Sequence, residues 1–272
     1  MQQEIVDYYT RFDEWGRLER ESLEFRINWH YMKRYLPSKG EVLDNGAGPG
    51  RYAMELARSG YQVTLTDLTP ASVDFAENKA AELNLAAQFR GFYAADARNL
   101  HMLPNEQYDA ALMLGPLYHL QEEEERAAAA EELYRVTKPG GIVFVAFRPR
   151  LVHTLLSLKF PQNWKPLDNV EALQDFLHTG IFNHADKGRF TGAYFYKVEE
   201  IMPFMREHGF EGIQLISSSG LGGNLTPEQW QYWSSRGEQE LEGLYQLLYD
   251  TAADPSLLGT GTHLLYIGKK VR

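Results

Sequence analysis

Val42-Leu43-Asp44-Asn45-Gly46-Ala47-Gly48-Pro49-Gly50-Arg51-Tyr52 is the stretch whose reading decides the fold. Glycines at alternate positions after a short apolar run let the backbone turn sharply and come close to a ligand. Residues 51–59 then read as a helix, whose first N–H groups point back toward that ligand. A nicotinamide-binding loop requires G-x-G-x-x-G. Counted from Gly46, its third glycine would fall at Arg51, and Gly50 comes one place early. The spacing is instead D-x-G-x-G-x-G. A carboxylate such as Asp44 at the end of a strand suits a cationic ligand better than a pyrophosphate; a turn-capping role is the plainer alternative.

Outward from this loop, short apolar runs alternate with helical stretches. Residues 41–44 form the first run, 62–66 a β-rich second, 89–94 a third and 108–114 a fourth. Thr69-Pro70 reads as a helix start, with Thr as N-cap and Pro in the first turn, leading into 71–83. Residues 122–136 are rich in Ala and Glu and strongly helical by propensity. Lys138-Pro139-Gly140-Gly141 turns the chain into a fifth strand at 142–147. Later, 198–208 reads as helix, 212–217 as a sixth strand and 262–268 as a seventh. Strand–helix alternation with short links implies parallel strands, because these require crossovers. The fold class is therefore α/β.

On the glycine loop and its partners the sequence resembles the class I S-adenosylmethionine-dependent methyltransferases, in particular the small-molecule group with the D-x-G-x-G-x-G loop. The resemblance covers 40–147 well, and 194–217 and 262–270 more loosely. It implies a Rossmann-like, doubly wound, seven-stranded sheet of order 3-2-1-4-5-7-6 with the seventh strand antiparallel. It also implies S-adenosylmethionine as cofactor, with S-adenosylhomocysteine as its product. By the same resemblance Asp44, Gly46, Ala47, Gly48 and Gly50 form the cofactor loop. Asp67, followed by Leu68, would bind the ribose hydroxyls, since a carboxylate accepts two hydrogen bonds. Asp96, followed by Ala97, would meet the adenine amino group. Leu114 and Gly115 begin the segment that lines the methyl-transfer site. Within it Tyr118 shapes the site, and His119 is the candidate general base, of a residue type whose pKa suits that task; packing beneath the crevice is its alternative role.

The segment 1–37 is aromatic and charged. Leu18, Phe25, Trp29 and Met32 fall at spacings of seven, four and three, a helical apolar stripe. Tyr9 and Trp15 precede it, and related enzymes fold such a segment over the cofactor as a lid. Arg26 and Arg51 are candidates to pair with the donor's carboxylate. Residues 148–193 and 220–259 interrupt the strand–helix rhythm and read as cap insertions on a single domain rather than as a second one. Arg148, Arg150, His153, Trp164, His178, His184, Tyr194 and Tyr196 form the pool expected to meet the methyl acceptor.

Composition bounds the rest. Of 272 residues 44% are hydrophobic, enough for a sizeable core, so disorder is excluded. With no cysteine, disulfides, thiolate metal sites and thiol nucleophiles are excluded together. The histidines match no ligand spacing, so no metal is expected. The first 21 residues are charged and lack the apolar centre of a signal peptide, and no run is long enough to span a membrane. A cytoplasmic location is expected. A net charge of −10 counts against a nucleic-acid partner. The expected function is methyl transfer to oxygen or nitrogen of a small-molecule acceptor. The alternatives are a tRNA or protein methyltransferase, an NAD(P)-dependent oxidoreductase and a non-catalytic cofactor-binding module.

Overall fold

The computed structural model describes residues 6–8, 10, 15–16, 22–186 and 192–271. A first helix, α1 (Ser22–Tyr35), leads to strand β1 (Glu41–Asn45), helix α2 (Arg51–Arg58), strand β2 (Gln62–Asp67) and helix α3 (Pro70–Glu82). Strands β3 (Phe89–Ala94) and β4 (Tyr108–Met113) follow. Then come the short α4 (Pro116–His119), the longer α5 (Glu123–Val136) and β5 (Thr137–Phe147). The next segment holds α6 (Arg150–Lys159), α7 (Val170–Thr179) and the two-residue strands β6 (Ile181–Phe182) and β7 (Ala193–Tyr194). The chain continues with α8 (Val198–Glu207), β8 (Phe210–Ser217), α9 (Pro227–Ser234), α10 (Glu238–Thr251), α11 (Pro255–Leu258) and β9 (Leu264–Lys270).

Seven strands form one sheet in the order β3-β2-β1-β4-β5-β9-β8. The pairs from β3 through β5 are parallel, and β9 runs antiparallel to both β5 and β8. Leaving aside the two-stranded ribbon β6-β7, this is the expected order with its last strand reversed. Both faces of the central strands are buried, so they read as continuous apolar runs rather than alternating ones. Alternation survives in where the side chains go. Val42, Ala110, Leu112, Phe144 and Leu265 enter the core shared with α1, α2, α3 and α10. Leu43, Ala111, Met113, Val143, Val145 and Tyr266 enter the opposite core, under α5 and α8.

Lys138-Pro139-Gly140-Gly141 is a bulge inside β5, not a turn before it. Thr137 pairs with Tyr108 and Ile142 with Ala110, so six residues of β5 face three of β4. Gly140, at φ +78°, absorbs the excess. The stripe on α1 is present from Phe25 onward, with Met32 fully buried; Leu18 lies outside the described residues.

The segment after β5 is more regular than its sequence suggests. Helices α6 and α7 and the ribbon enclose a third small core of Leu167, Leu173, Phe176, Phe182, Ala193 and Phe195. Helix α6 carries its polarity inside out. Arg150, His153, Thr154 and Ser157 are buried, whereas Leu151 and Leu158 are more than 60% exposed. Among the described residues no helix is long and apolar enough to cross a membrane.

Candidate active site

The order of strands reverses direction between β1 and β4, and an open α/β sheet leaves a crevice beyond the carboxyl ends at such a point. A cavity lies there. Its wall is built from the ends of four successive strands: Asp44 to Gly48 after β1, Asp67 and Leu68 after β2, Asp96 and Ala97 after β3, and Leu114 to Leu120 after β4. Glu24 of α1, Tyr52 of α2 and His263, just before β9, close its remaining side.

The glycine loop is held by β2. The amides of Gly46 and Ala47 donate to the Thr66 carbonyl at 2.8 and 3.0 Å, and the Thr66 hydroxyl donates to Asn45 Oδ1 at 2.9 Å. Gly46 sits at φ +72°, and a Cβ there would stand 2.1 Å from Pro116 Cγ. Only glycine lets the loop pass so close to α4. Gly50, at φ +83°, precedes α2, and a Cβ there would meet Leu65 at 2.8 Å. It sets the entry of the helix beneath the loop and is not part of the cavity wall, a correction to its expected ligand contact.

Asp67 is fixed by two backbone donors, Gly48 N–H to Oδ2 and Thr69 N–H to Oδ1, both at 2.8 Å. These bonds lock the carboxylate at the cavity. Asp96 is gripped by Arg98, whose Nε and Nη2 reach its two oxygens at 3.0 and 2.6 Å. Arg98 continues to Glu125 of α5. Sequence reasoning missed this arginine, although its place two residues after the acid is the spacing of a side chain that folds back.

Asp44 is 2% exposed, and its Oδ2 has no hydrogen-bond partner. Burial pushes its carboxyl up to about 7; Asp67 nearby pushes the same way, against a bond from the backbone of Ala53. A buried carboxylate oxygen without a donor is costly unless a ligand supplies one.

Tyr118 and His119 both reach the cavity. His119 is 7% exposed. Burial draws its pKa down to about 4, helped by the Arg148 guanidinium and by His263 and opposed by a bond to the backbone of Gly192. It is therefore a neutral imidazole at pH 7 and a weak base, which corrects the expectation of a pKa suited to proton abstraction.

Trp15 does not line the cavity. Its ring packs on Phe75 of α3 at 5.7 Å, with Lys79 above it at 5.3 Å, because the half-exposed Phe75 offers an apolar surface to cover. Tyr9 lies outside the described residues. Arg51 lies over Phe25 and Arg26 over Tyr245, so both cations rest on aromatic faces rather than in the cavity. The pool expected to meet an acceptor is absent from the cavity wall as well. Arg150 and His153 are buried on α6, and Tyr194 and Tyr196 flank Arg126. Only Arg148 comes near, 5.8 Å from the Tyr118 ring. Among the described residues no group of three His, Asp or Glu side chains is placed to hold a metal ion.

Residues 42–141 match the family model described as a methyltransferase domain. With the sheet order above, this gives the chain the fold of the class I S-adenosylmethionine-dependent methyltransferases. It is 32% identical over 117 residues to the S-adenosyl-L-methionine-dependent Diels-Alderase iccD of Talaromyces variabilis, covering 42% of this chain and 39% of that protein. It is 33% identical over 119 residues to the ubiquinone biosynthesis O-methyltransferase of Pseudomonas savastanoi pv. phaseolicola, covering 44% and 48%. The chain thus spans less than half the length of these curated relatives. Among solved structures, the 1,6-didemethyltoxoflavin-N1-methyltransferase of Burkholderia thailandensis, with 1,6-didemethyltoxoflavin and S-adenosylhomocysteine bound, superposes with a TM-score of 0.60. That match has 15% identity and covers 100% of this chain and 87% of the other.

Proposed function

We propose that the protein transfers a methyl group from S-adenosylmethionine to oxygen or nitrogen of a small-molecule acceptor. The observation that carries this reading is the buried, half-satisfied carboxylate of Asp44 set in a glycine loop, with Asp67 and Asp96 following at the next two strand ends. Four carboxylates, Glu24 included, with no lysine or arginine on the wall disfavour a pyrophosphate and favour a ligand with cationic and multiple hydrogen-bond-donating groups. S-adenosylmethionine is such a ligand: an amino group, a ribose diol, an adenine amino group and a sulfonium.

Asp44 and the loop from Gly46 to Gly48 would hold its amino-acid end. Asp67 would take the ribose hydroxyls and Asp96, steadied by Arg98, the adenine amino group. When bound, the cofactor supplies a methyl group already activated for displacement. The protein's contribution is chiefly alignment, worth up to ~7–11 kcal/mol when reacting groups are held in line. Tyr118, His119 and Leu120 form the wall on which an acceptor is positioned, and α1 shields that space from water.

Titration with S-adenosylhomocysteine and with NADH tests the reading. Binding of the former is expected, and tight binding of NADH alone overturns it. Asp67→Ala removes a hydrogen-bonded charge at the expected ribose contact. At roughly 1.5–3 kcal/mol per charged hydrogen bond, S-adenosylhomocysteine affinity should fall at least tenfold. Unchanged affinity by calorimetry would show that this carboxylate does not touch the ligand.

A further inference from the structure

The reversed strand β9 has a chemical consequence at the cavity. Because it runs against β5, its first residue, Leu264, pairs with the last residue of β5, Phe147. His263 is thereby carried to the carboxyl edge of the sheet, where it joins the cavity wall with Tyr118 and His119. Its Nδ1 stands 3.1 Å from Oε2 of Glu24. Glu24 lies on the face of α1 that ties this helix to the body. Asn28 donates to the Tyr52 hydroxyl, Tyr31 to the Tyr249 carbonyl and Tyr35 to Gln214, at spacings of four, seven and eleven from Glu24. The carboxylate is therefore delivered by an anchored helix.

We propose that His263, oriented by Glu24, is the base that takes the proton from a protic acceptor, a hydroxyl or a ring N–H. This assignment rests on the methyl-transfer reading. The 3.1 Å contact is an ion-pair distance and not an aligned hydrogen bond. A small turn of the imidazole brings Nδ1–H onto the carboxylate, which favours the tautomer with its proton there and leaves the Nε2 lone pair as the acceptor. In the step, the acceptor's O–H or N–H bond breaks as an N–H bond forms at Nε2. The acceptor's electron pair forms the new bond to methyl, the carbon–sulfur bond breaks with its pair going to sulfur, and the proton later leaves His263 for solvent. Glu24 is a positioning residue. The other titratable or charged groups facing His263 are Tyr118 and His119 of α4, with Arg148 beyond Tyr118 and Asp44 across the cavity.

The test uses the full chain, S-adenosylhomocysteine, labelled S-adenosylmethionine and a panel of phenols, catechols and heteroaromatic N–H compounds. In wild type, nitrogen-resolved NMR should find His263 protonated at Nδ1 near neutral pH, and Glu24→Gln should lose that preference while Glu24→Asp keeps it. His263→Asn should bind S-adenosylhomocysteine within threefold of wild type. It should lower kcat by ~100-fold or more, the usual share of general-base catalysis. Glu24→Gln should lower kcat with KM little changed, and Glu24→Asp should restore part of it. Unchanged kcat in His263→Asn, or a wild-type His263 protonated at Nε2, overturns the assignment. So does a wild type that binds S-adenosylhomocysteine but methylates no compound of the panel. A wild type that binds no S-adenosylhomocysteine fails differently, because it removes the methyl-transfer reading itself.

Discussion

Asp44→Asn should melt several degrees above wild type at pH 8 when no ligand is present, and should bind S-adenosylhomocysteine more weakly. Native Asp44 keeps its proton to about pH 7, against an ordinary value of 3.8. Between those values the folded state binds more protons than the unfolded one, so stability falls as pH rises through this window and is level above it. About three units of raised pKa correspond to about 4 kcal/mol, at 1.36 kcal/mol per unit. An uncharged amide of the same size escapes that penalty, so the advantage of Asp44→Asn should be large at pH 8 and small at pH 5. A cationic ligand against Asp44 drives the proton off, so wild type should release a proton on binding near pH 7 and the variant should not. Calorimetry in buffers of different ionisation enthalpy measures this. Equal melting at pH 8, together with no proton release, would show that Asp44 is not the ligand's counter-ion.

Arg150→Met should have the opposite signature, a large loss of stability with cofactor binding retained. Arg150 is 4% exposed. Its guanidinium donates to the carbonyls of Phe195, Leu177 and His178 at 2.9, 2.9 and 3.1 Å, and lies 3.7 Å from Glu200. One side chain thus satisfies the end of α7, the ribbon and the start of α8. Removing it leaves three carbonyls without this donor, at ~1–3 kcal/mol for each that stays buried and unpaired. The loss should be local, because these contacts lie within the segment between β5 and α8. Hydrogen exchange should quicken at Gly180 and Phe195, whose amides are bonded within this cluster. Affinity for S-adenosylhomocysteine should stay within threefold. A variant that loses affinity while these amides remain protected would place Arg150 in the site after all.

The cofactor half of the molecule was legible because its signals are local. The strands ending at Asn45, Asp67 and Ala94 lie within a residue of their expected limits. The glycine spacing counts against a nicotinamide loop from sequence alone. Helix α6 was not legible, because hydrophobic periodicity assumes that apolar residues face inward. Here Arg150, His153, Thr154 and Ser157 are inside and the leucines outside. His153 fills an aromatic box, stacked on Phe195 at 4.2 Å and edge-on to Trp164 at 4.7 Å, where burial draws its pKa down to about 3. Of the residues read as acceptor contacts, His153 packs against the small third core, and Tyr194 and Tyr196 pack into the larger core under α5 and α8. The pairing of Glu24 with His263 joins opposite ends of the sequence, and no spacing rule reaches that far. His119 lies at the cavity and is buried, which fits packing beneath the crevice, its alternative role.

The antiparallel strand β9 sets an order of assembly. The cofactor wall comes from β1 to β4 and the loops that follow them, all within about 80 residues, so its contacts close over short stretches of chain. The opposite wall waits for a strand more than a hundred residues beyond β5 to slide between β5 and β8. Non-local pairing of this kind is the slow part of folding. A refolding chain should therefore acquire a place for the donor before it acquires His263. Binding of S-adenosylhomocysteine should recover ahead of turnover, and the interval between the two would time the insertion of a single strand.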